Sequence, residues 1–172
     1  MTPQKLSKTD PQILEMPSQK MAVVYGKGTP DKVFSELMPA LYGSVYTLKF
    51  NHKKKGLPTF KVSRPRARYP DAHLTPIEEW TIIIGLPVPD DTTSLPQKIP
   101  HIEVKVETWD YGILSQILHL GAYDQEYTTI ERLRRFVEEN GYEIAGVHEE
   151  EYLTSPDAKV IKTIIRYPVR KK

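Results

Sequence analysis

The run His148-Glu149-Glu150-Glu151-Tyr152-Leu153 places a histidine, three glutamates and a tyrosine in consecutive positions. Successive side chains of an extended strand point to opposite faces. His148, Glu150 and Tyr152 therefore share one face, and Glu149, Glu151 and Leu153 share the other. An ionised carboxylate is not buried alone, so a shielded Glu150 requires a donor such as a tyrosine hydroxyl, or a cationic guest. On an open surface the same run is a polar edge strand with solvated glutamates. Glu149 and Glu151 are expected on the solvent side. If the other face lines a cavity, Glu150 can contact a ligand or act as a general base on a water. Tyr152 on the same face would then donate a proton or hold the water.

Further candidates are spread along the chain. Tyr123 follows the turn glycine Gly121 at a helix entry, where it either staples helix to sheet or faces a ligand. Trp80 lies at the start of a strand and can stack on a flat or cationic guest. Trp109 sits beside a turn. His119 falls on the same side of its strand as Ile117, so it is either a satisfied buried histidine or a base. Phe60 and Tyr46 could complete an aromatic wall, with ordinary packing as the alternative.

These residues need elements to hold them. Met21 to Tyr25 reads as a strand, broken by Gly26 to Pro30. Val33, Leu37, Leu41, Val45 and Leu48 form one apolar helical stripe, which Pro39 should kink or split into two helices. Thr59 to Ser63 and Trp80 to Ile84 read as strands, separated by a long loop from Arg64 to Pro76. After the proline-rich connector come a strand at His101 to Thr108 and another at Ile113 to Leu120. A helix carries Tyr127, Ile130, Leu133, Phe136 and Val137 and stops at Asn140-Gly141. Two last strands follow, Glu143 to Thr154 and Lys159 to Val169. The order strand-Gly28-x-x-Asp31-helix recurs as strand-Gly121-x-x-Asp124-helix, which suggests an internal duplication. The organisation expected is a polar lead over 1–18, half-repeats over 19–90 and 101–172, and a connector over 91–100.

The 172 residues are 39% apolar and 9% aromatic, enough for a sizeable core. Cysteine is absent, which removes disulfides and thiolate chemistry and suits a cytoplasmic setting. No apolar run is long enough to span a bilayer, so no membrane partner is expected. A net charge of +2, from 24 Lys and Arg against 22 Asp and Glu, offers no strong field for nucleic acid. Lys53 to Lys55 and the alternating Arg64, Arg66 and Arg68 read as solvated faces. The five histidines show no metal-binding spacing, and no metal or cofactor is expected.

Four blocks in order carry a resemblance. They are Ile117-Leu118-His119-Leu120-Gly121-Ala122-Tyr123-Asp124, Glu139-Asn140-Gly141-Tyr142, the HEEEYL run, and Lys162-Thr163-Ile164-Ile165 before Tyr167-Pro168-Val169. Together they resemble the GyrI-like small-molecule-binding family, which also supplies effector-binding domains to AraC-type and MerR-type regulators. The first half is similar to standalone members in Leu41-Tyr42, Tyr46-x-Leu48-Lys49-Phe50 and the strand containing Trp80. The resemblance implies an α+β fold of duplicated β-α-β-β (SHS2-like) units, two antiparallel sheets with one main helix each, related by a pseudo-twofold axis around a central ligand groove. It implies bulky hydrophobic ligands, often aromatic or cationic, with Glu150 facing the pocket. The family's namesake is linked to gyrase inhibition, and a standalone branch resembles hydrolases that open cyclopropanoid alkylating agents. The reading that results is a standalone, monomeric or weakly dimeric binder of small molecules. The enzymatic alternative makes Glu150 a general base with Tyr152 or Tyr123 as donor.

Overall fold

The structure is a computed structural model and describes residues 9–172. Residues 1–8, the start of the expected polar lead, lie outside the described residues. The chain runs β1 (Gln12–Met16), β2 (Gln19–Lys27), α1 (Pro30–Lys54), β3 (Arg66–Arg68), β4 (Thr81–Pro87), β5 (Lys105–Trp109), β6 (Gly112–Leu120), α2 (Tyr127–Glu139), β7 (Tyr142–Ile144), β8 (Glu149–Tyr152) and β9 (Lys162–Lys171). The fold is α+β, with two α-helices among the described residues and antiparallel strand pairs within each of its two units. It divides into two compact units, one spanning Ser18–Asp110 and the other Tyr111–Lys172 together with the segment ending at Pro17. No helix among the described residues is long and apolar enough to cross a membrane.

In the Ser18–Asp110 unit the strand order is β3-β4-β2-β5. Met21 to Val24 on β2 and Ile82, Ile84 and Leu86 on β4 are fully buried. The continuous apolar run of β2 suits a strand paired on both edges, by β4 and β5. Helix α1 buries Val33, Leu37, Ala40, Leu41, Ser44 and Val45 and remains one helix through Pro39. The stripe predicted it, but the expected split does not occur. Pro39 and Ser35, whose carbonyl loses its donor, lie on the exposed side where water can bind that carbonyl.

Three expectations about strands in this unit shift. Thr59 to Ser63 forms no strand. The segment that pairs with β4 is β3, inside the expected loop, where Ala67 is fully buried and the Arg68 guanidinium sits 3.9 Å from the Trp109 ring centroid. The strand foreseen from His101 begins only at Lys105, because the Gln97 side chain takes the place of a strand partner. Its amide donates to the Val104 carbonyl at 2.8 Å and accepts from the Val104 N–H at 2.9 Å.

The second unit orders its strands β1-β6-β9-β8, with β7 also on β9. Strand β1, Gln12–Met16, falls within the stretch read as a polar lead; it pairs with β6 from Gln12↔Gln116 to Met16↔Gly112. The single strand expected over Glu143 to Thr154 is broken into β7 and β8. The break lies opposite Pro168, which has no N–H for a ladder. Gly146 passes so close to that ring that a Cβ would stand 2.6 Å from Pro168 Cγ. Helix α2 closes one face of the sheet, with Ile117, Leu133, Ile165 and Tyr167 forming a buried cluster against which Ile130 and Ile144 pack.

Gly85 ties the first unit's packing to a single missing methyl. A Cβ there would lie 2.8 Å from Met21 Cε and 2.9 Å from Trp109 Cη2. Gly85→Ala should lower stability by about 1–3 kcal/mol through overpacking and shift the tryptophan emission. Urea unfolding followed by fluorescence checks this, and an unchanged midpoint would refute the close packing.

Candidate functional site

Strand β8 divides its side chains between two environments. Residues directly opposite one another in an antiparallel ladder point to the same side. Glu150 faces Ile165, which faces Ile117 on β6; Tyr152 faces Thr163, which faces His119. Since Ile117 and Ile165 pack against α2, the Glu150 side of β8 is the side that α2 covers. Glu150 is only 7% exposed there. A carboxyl group so placed must be satisfied by its neighbours.

One neighbour is Glu126. Gly121, with φ 124°, ends β6, and a short 3-10 turn at Tyr123–Gln125 delivers the chain to α2. Glu126 occupies the N-cap position, where its carbonyl accepts the Ile130 N–H at 2.9 Å, but its side chain makes no capping bond. The carboxyl turns inward instead, leaving the residue 9% exposed and Oε2 sealed from solvent with no N–H or ordinary O–H partner. It meets the Glu150 carboxyl, so the hydrogen bond between the two groups requires a proton on the pair. Burial, and then the hydrogen bond and charge of Glu150, push the Glu126 acid up to about 9. Burial also raises Glu150, while the hydrogen bond from Glu126 favours its ionised form. Glu126 is thus the proton holder and Glu150 the acceptor. The pair is best treated as one titrating unit.

The second neighbour is His148, with Nε2 2.9 Å from Glu150 Oε2 and Nδ1 2.6 Å from the Tyr167 hydroxyl. Burial, assisted by the positive Arg134, lowers its pKa to about 4 against the pull of Glu126 and Glu149. The neutral ring carries one proton. Placed on Nε2, that proton is donated to Glu150, while Nδ1 accepts from Tyr167. Arg134 donates in turn to the Tyr167 oxygen. One directed chain, Arg134 to Tyr167 to His148 to Glu150, therefore ends on the same carboxylate that Glu126 addresses. The carboxyl pair therefore holds at least one proton.

Two tyrosines edge this cluster. Tyr123 and Tyr152 meet edge to face, with centroids 5.8 Å apart and an interplanar angle of 83°. Tyr123 is 37% exposed, so the aromatic pair reaches solvent. Burial and the nearby Glu150 and Glu126 raise the Tyr123 hydroxyl pKa. His119 stands close by on β6. It is buried, with Nδ1 2.7 Å from the Thr129 hydroxyl and Nε2 3.0 Å from the Ala122 carbonyl, and so fastens the turn before α2 to the first turn of the helix.

The opposite side of β8 overturns the solvent-side expectation for Glu149 and Glu151. Glu149 is 2% exposed. It accepts from Arg166 Nη1 at 2.8 Å and lies 3.0 and 3.1 Å from the Tyr111 hydroxyl. Glu151 accepts from Arg166 Nη2 at 3.2 Å. The physical reason is register: Arg166 stands directly across from Glu149 on β9. Burial works against the Arg166 charge, but Glu149 and Glu151 more than offset it and raise its pKa.

The remaining sequence candidates lie in the Ser18–Asp110 unit. Trp80 donates to the Thr75 carbonyl at 3.2 Å and packs edge to face with Tyr69. Trp109 is buried between Arg68 and Gly85. Phe60 meets His52 edge to face, and the exposed Tyr46 stacks on Tyr42. Glu126, Tyr167 and Arg134 escaped sequence reasoning. Glu126 reads there as an ordinary acidic residue at a helix start, and only its packing reveals the inward turn. Among the described residues, no group of three or more acidic or histidine side chains is arranged to hold a metal ion.

The profile of the GyrI-like small molecule binding domain matches residues 9–170. The chain belongs to this family. A GyrI-like domain of this kind binds small molecules. The fold is similar to that of a hydrolase from Listeria innocua, at 23% identity and a TM-score of 0.81, with 96% of this chain and 94% of that one covered. It is similar to an uncharacterized conserved protein from the same organism, at 24% identity and a TM-score of 0.82, covering 95% and 93%. The EcmrR C-terminal domain is a more distant likeness, at 18% identity and a TM-score of 0.67, covering 95% and 98%. A search of curated protein sequences gave no match.

The GyrI-like site makes stability depend on pH with a definite sign. Between the ordinary carboxyl range near 4.5 and about 9, folded Glu126 keeps a proton that the unfolded chain loses, so stability falls as pH rises. His148 acts oppositely, adding stability as pH rises from about 4 to its ordinary 6.5. From pH 7 to 9 His148 no longer contributes, and each proton the Glu126–Glu150 pair retains is worth up to about 1.4 kcal/mol per pH unit. Urea midpoints over that range should decline for the native protein and flatten for Glu126→Gln; parallel declines in both would exclude Glu126 as the source.

Proposed function

We propose that this domain captures hydrophobic, aromatic small molecules, with positively charged ones preferred, against the Tyr123–Tyr152 pair and the Glu150 carboxylate. The observation that carries this reading is a buried, hydrogen-bonded carboxyl pair beside an aromatic pair that reaches solvent. A carboxylate charge there is costly to bury, and a cation placed over tyrosine faces would offset part of that cost. Protection against toxic or drug-like compounds is the biological role that fits such capture. The strand orders add support for a duplicated, SHS2-like β-α-β-β plan. Each unit places the first strand of its strand-helix-strand-strand series beside the last, as β3-β4-β2 in one and β8-β9-β6 in the other.

Anisotropy titrations with ethidium, a flat aromatic monocation, and with a neutral polycyclic alcohol of similar ring area test the reading. Glu150→Gln should weaken ethidium by about tenfold, equivalent to about 1.4 kcal/mol, and leave the neutral probe unchanged. Equal losses for both probes would remove the charge contact from the account.

A second reading follows from the protonation pattern of the same cluster. Glu150 accepts protons, whereas Glu126 and the Tyr152 or Tyr123 hydroxyl can supply them, an arrangement suited to opening a strained ring with water. Glu150 would take a proton as the water oxygen bonds to the strained carbon. The ring C–C bond breaks, its electron pair moves into the conjugated carbonyl, and Tyr152 or Tyr123 protonates that oxygen. On this reading a cyclopropanoid electrophile is consumed with turnover, and Glu150→Gln retains binding but loses product formation by chromatography. Undiminished turnover in that variant would end the general-base role.

A further inference from the structure

We propose that Glu126 is a specificity-determining residue whose shared proton regulates cation capture, so that a lipophilic cation binds more tightly as that proton is given up. The proposal rests on the ligand-binding reading of the Glu150 cluster and adds a control that this reading does not require.

Its basis is geometric. Glu126 is nine-tenths buried, its Oε2 has no donor, and the group it meets is another carboxyl. A proton between two acids serves as the missing hydrogen bond, and it also halves the charge available to a ligand. With the proton in place the pair presents one negative charge; once it leaves, the pair presents two. A cation at the site favours the second state, and by linkage the second state favours the cation.

The groups around the pair do not supply the same behaviour. On the turn before α2, Tyr123 has a pKa raised by burial and by the two carboxyls. On β9, Tyr167 is raised by burial despite Arg134 of α2. His148, ahead of β8, is held near 4, far below the range concerned. His119 on β6 has its nitrogens engaged by Thr129 and Ala122, and Tyr152 on β8 packs against Tyr123. Glu149 lies on the other side of β8 with Arg166. Glu126 is therefore the proton holder that a neutral-to-alkaline titration should report.

The test uses ethidium, whose charge is constant in this range, with the native protein and Glu126→Gln from pH 6 to 9. Gln imitates the protonated acid, so both proteins should bind with similar affinity near pH 6. Native affinity should then rise toward a limit of about tenfold per pH unit, one proton released per ligand, while Glu126→Gln stays flat. Heats of binding in buffers of different ionisation enthalpy should show that proton only for the native protein. A flat native profile, or an equal slope in both proteins, overturns the proposal and leaves the binding reading intact. Failure of ethidium to bind the native protein at any of these pH values overturns both.

Discussion

Glu126 and Glu150 meet at the N-terminal end of α2 with one proton between them, and the polar organisation of the second unit follows from the need to make that meeting tolerable. Two ionised carboxylates in contact inside a protein would repel strongly, and each would also lose its hydration. Retaining one proton removes the repulsion and turns a conflict into a hydrogen bond. The remaining negative charge is met by the oriented dipoles of the helix start and by the His148 N–H. That N–H points at Glu150 because Tyr167, itself held by Arg134, occupies the other side of the ring.

Strand β8 solves the same physical problem twice by different means. On the α2 side, burial of Glu150 is met by sharing a proton. On the other side, burial of Glu149 is met by a fully charged partner, Arg166, supported by the Tyr111 hydroxyl. The first solution leaves a group whose charge can change as the pH turns alkaline; the second does not, because a guanidinium does not release its proton. Removing Arg166 would strand a buried carboxylate, a loss on the order of 3–5 kcal/mol. The Glu149 side thus anchors the strand while the Glu150 side remains available to chemistry.

Much of this was legible in the sequence where local pattern and tertiary demand agree. The stripe Val33, Leu37, Leu41, Val45 sits on the buried face of α1, and the α2 stripe ends where Asn140-Gly141 stops it. Period-two alternation in HEEEYL separates Glu150 from its two neighbours. It cannot say what lies across the strand, so Glu149 and Glu151 read as solvent-facing until the register with Arg166 is known. Pro168 splitting β7 from β8, Gln97 standing in for a strand and Ala67 pairing inside a presumed loop are likewise contacts between segments far apart in sequence. Glu126 was illegible for the same reason. An acidic residue at a helix start is favourable when it caps or faces solvent, and nothing local distinguishes it from one that turns inward.

The inward turn of Glu126 depends on groups that have no ligand role. His119 bonds Ala122 on one side and Thr129 on the other, which fixes the segment between Gly121 and the first turn of α2. Gly121 adopts a positive φ that other residues disfavour, and it lets the chain leave β6 at the angle this segment requires. The backbone of Glu126 is held by these bonds and by the helix that begins on its own carbonyl, which keeps its side chain within reach of Glu150. The energetic cost of the sealed carboxyl is offset by the proton the two groups share. Tyr123 belongs to that same turn. Positioning Glu126 beneath the helix and holding Tyr123 against Tyr152 are consequently one structural act, and the charge and the aromatic surface of the site are built by a single segment.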